Sequence, residues 1–218
     1  MERVLSIGKF IVVEGLDGSG KSTQIAMMKA ELERRGLRVY VTAEPTDFET
    51  GAYIRRILSE SLDKDMYLQA ALFLADRLEH ITHPGHGIRR YLDDGYVVIC
   101  DRYYFSSFAY QGTASDIDWV MKINLDCERI IKPDLCLFLD VNPDTCKKRI
   151  DTVRETAELY EKDVNTMRKI RDNFLNVFGR LSDTHKIEII DSNADIDEIF
   201  SRCIGFVDKI LREDDMNV

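Results

Sequence analysis

Hydrophobic residues fall into two kinds of run along this chain. Five runs are short and nearly unbroken: Phe10–Glu14, Val39–Thr42, Val97–Asp101, Leu135–Val141 and Ile187–Asp191. Unbroken apolar character, rather than alternation, marks parallel strands covered by helices on both faces. Between them the apolar residues recur every three or four positions, as in helices with one buried face. Ile25, Met28 and Leu32 share one side of a helix that stops at Gly36, a residue suited to a C-terminal cap. Ile196, Ile199, Phe200, Cys203, Ile204, Val207 and Leu211 form a similar stripe near the end, predicting an amphipathic helix laid on the sheet.

Strands alternating with helices predict an α/β fold, a doubly wound five-stranded parallel sheet flanked by helices. No Pro/Gly/Ser linker, repeat or low-complexity stretch divides the chain, so residues 1–218 read as one domain with a frayed polar tail at 212–218. The composition, 44% hydrophobic and 32% charged over 218 residues, supports a sizeable core. A formal net charge of -9 argues against nucleic acid as a partner, because backbone binding needs a basic surface. It does not argue against small phosphorylated ligands, for which local lysines and arginines decide. The five cysteines lack a CxxC pair, and Cys100 and Cys136 lie in apolar runs, which suits a reducing, cytoplasmic setting. No stretch is apolar enough to span a membrane, and Met1 to Lys9 does not read as a signal peptide.

The first run ends in Gly15-Leu16-Asp17-Gly18-Ser19-Gly20-Lys21-Ser22, an ungapped match to G-x-x-x-x-G-K-[ST], with Thr23 following. Glycines in such a P-loop let successive backbone N–H groups turn toward phosphate oxygens, and the next helix adds its positive end. Gly15, Gly18, Ser19, Gly20, Lys21, Ser22 and Thr23 are thus the expected ATP cradle. Lys21 would reach the β- and γ-phosphates, and Ser22 would bind magnesium. The overall fold expected is P-loop NTPase-like.

A cradle does not by itself separate a kinase from a hydrolase or a switch. Asp101-Arg102-Tyr103 closes the third run, at the strand end where ligands bind in open α/β sheets. Asp101 is placed to hold magnesium. Arg102 could lie between two anionic substrates, although a strand-end salt bridge is the plainer alternative. Lys147, Lys148, Arg149 and Arg154 form a basic helical stretch, read as a short lid over about 147–160, with the two lysines solvated. His80, His83 and His86 have a spacing that could bind a metal, but Pro84 and Gly85 interrupt the helix, and surface or capping roles fit better. Trp119 reads as packing or interface.

With these residues in view, the chain resembles thymidylate kinase from about Phe10 to Leu211. The segments carrying the resemblance are residues 10–24, Glu44-Pro45-Thr46, Phe73-Leu74-Ala75-Asp76-Arg77 and residues 101–112, with Pro133-Asp134 and Tyr160-Glu161 in order behind them. The resemblance implies transfer of the γ-phosphoryl group of ATP to dTMP with Mg2+, toward dTTP synthesis, by a homodimer. It implies that Asp17 faces the sugar 3′-hydroxyl and the metal site, that Phe73 stacks on thymine, and that Arg77 donates to the base. Pro45, Ser106, Ser107, Tyr110 and Gln111 match the acceptor-side wall, Tyr110 crowding the sugar 2′ position. Ser106 or Ser107 also reads as a helix N-cap. Because the loop carries Gly18 where some members carry a basic residue, the resemblance puts the arginine function in the lid, on Arg149 and Arg154. Ala43 precedes Glu44-Pro45 where the family often has an arginine, so Arg55 is a candidate for that charge. Segments Leu68–Ile81 and Ile117–Ile130 are candidate dimer contributors. The rival readings are a kinase for another monophosphate or for a deoxynucleoside, and a nucleotide-dependent switch.

Overall fold

The computed structural model describes residues 8–60, 62, 65–153 and 163–215. Five strands form one all-parallel sheet in the order β2-β3-β1-β4-β5: β1 (Lys9–Glu14), β2 (Val39–Ala43), β3 (Val97–Asp101), β4 (Leu135–Asp140) and β5 (Ile187–Asp191). Each expected run became a strand, with shifts of one residue at the ends of β1, β2 and β4. Helices cover both faces: α1 (Lys21–Arg34), α2 (Glu49–Ser59), α3 (Met66–Thr82), α4 (Ile88–Asp93), α5 (Tyr104–Tyr110), α6 (Ile117–Leu125), α7 (Pro143–Val153), α8 (Val164–Leu181) and α9 (Ile196–Asp215).

The strands sort their side chains by parity, as a pleated sheet requires. Phe10, Val12, Val98, Cys100, Cys136 and Phe138 pack with α5 and α8 on one face. Ile11, Val13, Ile99, Leu137 and Leu139 pack with Ile25 and Met28 of α1 and Cys203 and Val207 of α9 on the other. Full burial on both faces holds only for β1, β3 and β4. The edge strands β2 and β5 are half-exposed, with Val41 and Ile189 open to solvent, because each has a neighbour on one side only.

Gly36 ends α1 as expected. Its backbone is left-handed (φ +82°), its N–H reaches Glu33 O, and the Leu37 N–H reaches Leu32 O, which together satisfy two terminal carbonyls. The C-terminal helix runs on to Asp215, past the expected start of the tail at Arg212. The segment Ile117–Ile130 is helical only to Leu125.

Candidate active site

The strands β1 and β3 are hydrogen-bonded neighbours with Val13 level with Asp101, so the loop after β1 and the Asp101-Arg102 turn after β3 emerge side by side. That topology, rather than any one side chain, brings the two halves of the site together.

Lys21 opens α1 directly behind Gly20, and no acidic residue stands in the first turn to offset the helix's positive end. Its ammonium is buried, 3.3 and 3.2 Å from the carbonyls of Gly15 and Leu16 and 3.9 Å from Asp101 Oδ1. Burial, then the nearby Arg102 charge, lowers the Lys21 pKa, while Asp101, Asp17 and Glu14 act the other way. Gly18 is held at φ +76°, and a Cβ there would lie 2.8 Å from the Cys146 carbonyl oxygen. Position 18 therefore excludes any larger residue. Arg149 reaches that same turn from α7, donating to Gly18 O at 3.1 Å. Arg149, Lys21, Ser22, Thr23 and Asp101 line one cleft. Lys147 is paired with Asp151 and Lys148 is exposed, as expected for a solvated face. Arg154 and the second half of the expected lid, residues 154–160, lie outside the described residues.

Arg102 has a left-handed backbone (φ +69°), uncommon for a residue with a Cβ. Its guanidinium donates to Asp17 Oδ1 (2.7 Å) and Ser106 Oγ (3.1 Å) and lies 5.0 Å over the Tyr110 ring. Burial alone would lower its pKa, but Asp17 and the other acidic groups around it hold it well above the usual value. Arg102 is thus a fixed cation, and the plain alternative of a strand-end salt bridge describes only part of its setting: it lines both the phosphate cleft and the adjoining cavity.

That second cavity holds Asp17, Pro45, Phe73, Arg77, Arg102, Ser106, Ser107, Tyr110 and Gln111 together, along with Glu44, Leu58 and Tyr103. All but one of the expected acceptor-side residues meet there. The exception is Arg55, whose guanidinium binds the Pro45 and Thr46 carbonyls and sits 3.2 Å from Asp47, behind the wall rather than in it.

Two readings are corrected. Ser106 and Ser107 lie inside α5, and neither caps it; the N-cap is Tyr103, with no side-chain cap bond of its own. The cap comes from β1. Glu14 Oε1 accepts the Tyr103 N–H (2.9 Å) and the Ser106 N–H (3.1 Å), while Oε2 accepts the Ser106 hydroxyl (2.6 Å). Burial pushes the Glu14 pKa up to about 7 against the pull of Arg102. Arg77 lies buried in the cavity wall, paired to Glu44 at 2.6 Å. His80 is likewise buried, between Thr42 Oγ1 (2.7 Å) and Glu44 Oε1 (3.1 Å). His83 does cap, accepting the N–H groups of Gly85 and His86 on Nδ1. Trp119 packs edge-on against Tyr67 at 5.0 Å.

Sequence reasoning missed Glu14, Glu44 as an ion-pair partner, and Asn124. A local signal existed for the last. Asn124 is one and two turns from Val120 and Ile117, a polar residue on the apolar face of α6.

The model of the family described as thymidylate kinase matches residues 13–202. The chain belongs to the thymidylate kinase family. It is 39% identical to a probable thymidylate kinase of Pyrococcus horikoshii over 92% of this chain and 96% of that one. It is 34% identical to a thymidylate kinase of Caldicellulosiruptor saccharolyticus (94% and 98%) and 33% identical to one of Mycoplasma capricolum (94% and 97%). As a member of the thymidylate kinase family the chain is a nucleoside monophosphate kinase, and the parallel P-loop sheet is the fold expected of one. Among the described residues, no helix is long and apolar enough to cross a membrane.

Proposed function

We infer that the chain transfers the γ-phosphoryl group of ATP to the 5′-phosphate of dTMP, giving dTDP and ADP. The observation carrying this reading is the acceptor cavity beside the P-loop, where an aromatic ring, Phe73, and a buried guanidinium, Arg77, share a wall with Arg102. Phe73 offers an apolar face for a pyrimidine, and Arg77 offers a donor for a keto oxygen. The acceptor phosphate is already anionic at neutral pH, so no strong base is required, and catalysis rests on positioning and charge. Lys21, Arg102 and Arg149 supply positive charge around the transferring group, with Arg154 as the further lid arginine. Arg55 acts only indirectly, by holding the Pro45 carbonyl.

The divalent ion of such a reaction fits the donors present. Among the described residues Asp101 Oδ1 is buried with no hydrogen-bond partner, and the Ser22 hydroxyl is exposed to the same cleft. These hard oxygens, with Asp17, would hold Mg2+, which when bound neutralises phosphate charge. The reading extends to one kinase domain in a reducing, cytoplasmic compartment, which the five free thiols suit.

A coupled ADP-release assay with Mg-ATP and a panel of monophosphates tests the substrate. Expected is a kcat/KM for dTMP at least about tenfold above that for dCMP, UMP, CMP, AMP or GMP. A different preferred acceptor would discard the base assignment, and no transfer to any would discard the reaction.

The dimer reading has its own support. Leu68, Ala71 and Ala75 are exposed along α3, a stripe at helical spacing on a helix with apolar residues all round. Sedimentation is expected to show a species of twice 25.2 kDa; a monomer at working concentration would refute it.

A further inference from the structure

Arg77 carries five N–H donors. Four are engaged among the described residues. Nε and Nη2 bind Glu44 Oε2 (2.9 and 2.6 Å), Nη2 also binds Ser107 Oγ (3.2 Å), and Nη1 binds Asn124 Oδ1 (2.5 Å). Arg77 lines the acceptor cavity, so it has one Nη1 N–H for a ligand, and the direction of that bond depends on how the other Nη1 N–H is held.

Asn124 holds it. This residue is fully buried, does not line the cavity, and comes from α6 rather than from the helix that carries Arg77. Its amide cannot be turned round. Nδ2 donates to the Val120 carbonyl oxygen at 2.9 Å, a contact only the nitrogen can make, so Oδ1 must face the guanidinium. Tyr103 lies under Arg77, its ring 5.0 Å from the guanidinium carbon, and limits motion out of the plane. The guanidinium is thus fixed on its Glu44 side, its Ser107 corner, its Asn124 corner and one face.

We propose that Asn124 is a positioning residue for base choice: by accepting one Nη1 N–H of Arg77, it aims the other at a keto oxygen on a pyrimidine ring. The proposal rests on the reading of dTMP as acceptor. A fixed donor matches O4 of thymine and meets the amino group of cytosine unfavourably, since two donors then face each other in a buried site. Without Asn124 the planar group could pivot about its Glu44 contacts, carrying the donor away from the amino group, and the penalty would shrink. Asn124 therefore acts on the rejection of the wrong base more than on the chemistry.

The test is the ratio of kcat/KM for dTMP to that for dCMP in Asn124→Leu, which removes the acceptor at similar volume. The ratio is expected to fall roughly tenfold to a hundredfold, the range for one buried hydrogen bond, with the change in KM and kcat for dTMP held within about threefold. Asn124→Asp keeps an oxygen toward Arg77 and is expected to retain most of the selectivity. Should the leucine variant not fold, Asn124→Ala is read by the same ratio. A folded leucine or alanine variant with unchanged selectivity would overturn the proposal, as would an aspartate variant that loses as much as they do. A wild-type enzyme without preference for dTMP would instead refute the substrate reading.

Discussion

Arg102→Ala is expected to lower kcat by about 10³-fold, in the range seen when an arginine that stabilises phosphoryl-transfer charge is removed. The size follows from the setting. Asp17 at 2.7 Å and Ser106 at 3.1 Å fix the guanidinium, the Tyr110 ring covers one side, and acidic neighbours keep it charged. Little reorganisation is then needed as charge develops, which is where preorganised donors have their largest effect. Removing the arginine also leaves Asp17, which lines both cavities, without its 2.7 Å partner beside the incoming phosphates. Arg102→Lys should recover little, since an ammonium cannot hold Asp17 and Ser106 together in one planar fork. Steady-state kinetics with dTMP, alongside an ATP-binding measurement, separates this from loss of the P-loop. Turnover within threefold of wild type would show that Arg102 is only a strand-end ion pair.

Glu44→Ala should be the most destabilising change in the site, by about 3–5 kcal/mol, because it leaves a buried charge without its partner. Glu44 and Arg77 both have side-chain exposures of 1%, and the same carboxylate also holds His80 at 3.1 Å. At roughly 2–4 °C per kcal/mol for a chain of this size, the melting temperature should fall by several degrees at least. The double variant Glu44→Leu/Arg77→Met is expected to be clearly more stable than Glu44→Ala alone, since no charge remains buried. A Glu44→Ala melting temperature within 2 °C of wild type, in the same buffer, would mean that water reaches Arg77 and the pair is not isolated from solvent.

These two residues also show what a sequence can and cannot disclose. Lys21 and its glycines are contiguous, so local geometry alone announces a phosphate cradle, and the strand before and helix after it were equally legible. Phe73 and Arg77 share a helical face by simple spacing, and both do line the cavity. Glu44 is different. Its partners at positions 77 and 80 lie more than thirty residues away, and nothing local distinguishes a carboxylate before a proline from a solvated one. His80 misled for the same reason: histidines near Pro84 and Gly85 look like a helix-end cluster, yet the i+3 position from Arg77 turns His80 inward beside β2. The half-exposed edges of the sheet were illegible too, because order across a sheet is a long-range property that apolar runs do not encode.

The cap on α5 bears on the order in which the molecule assembles. A helix of seven residues has no stability of its own in water, and α5 has no side-chain cap from within itself. Its first turn is completed by Glu14, 89 residues earlier in the chain. The turn cannot form locally and wait for the rest: β1 must already lie against β3 before the carboxylate reaches Tyr103 and Ser106. Completion of the wall that carries Ser107, Tyr110 and Gln111 therefore depends on a contact that closes a long loop, and on the pairing of β1 with β3.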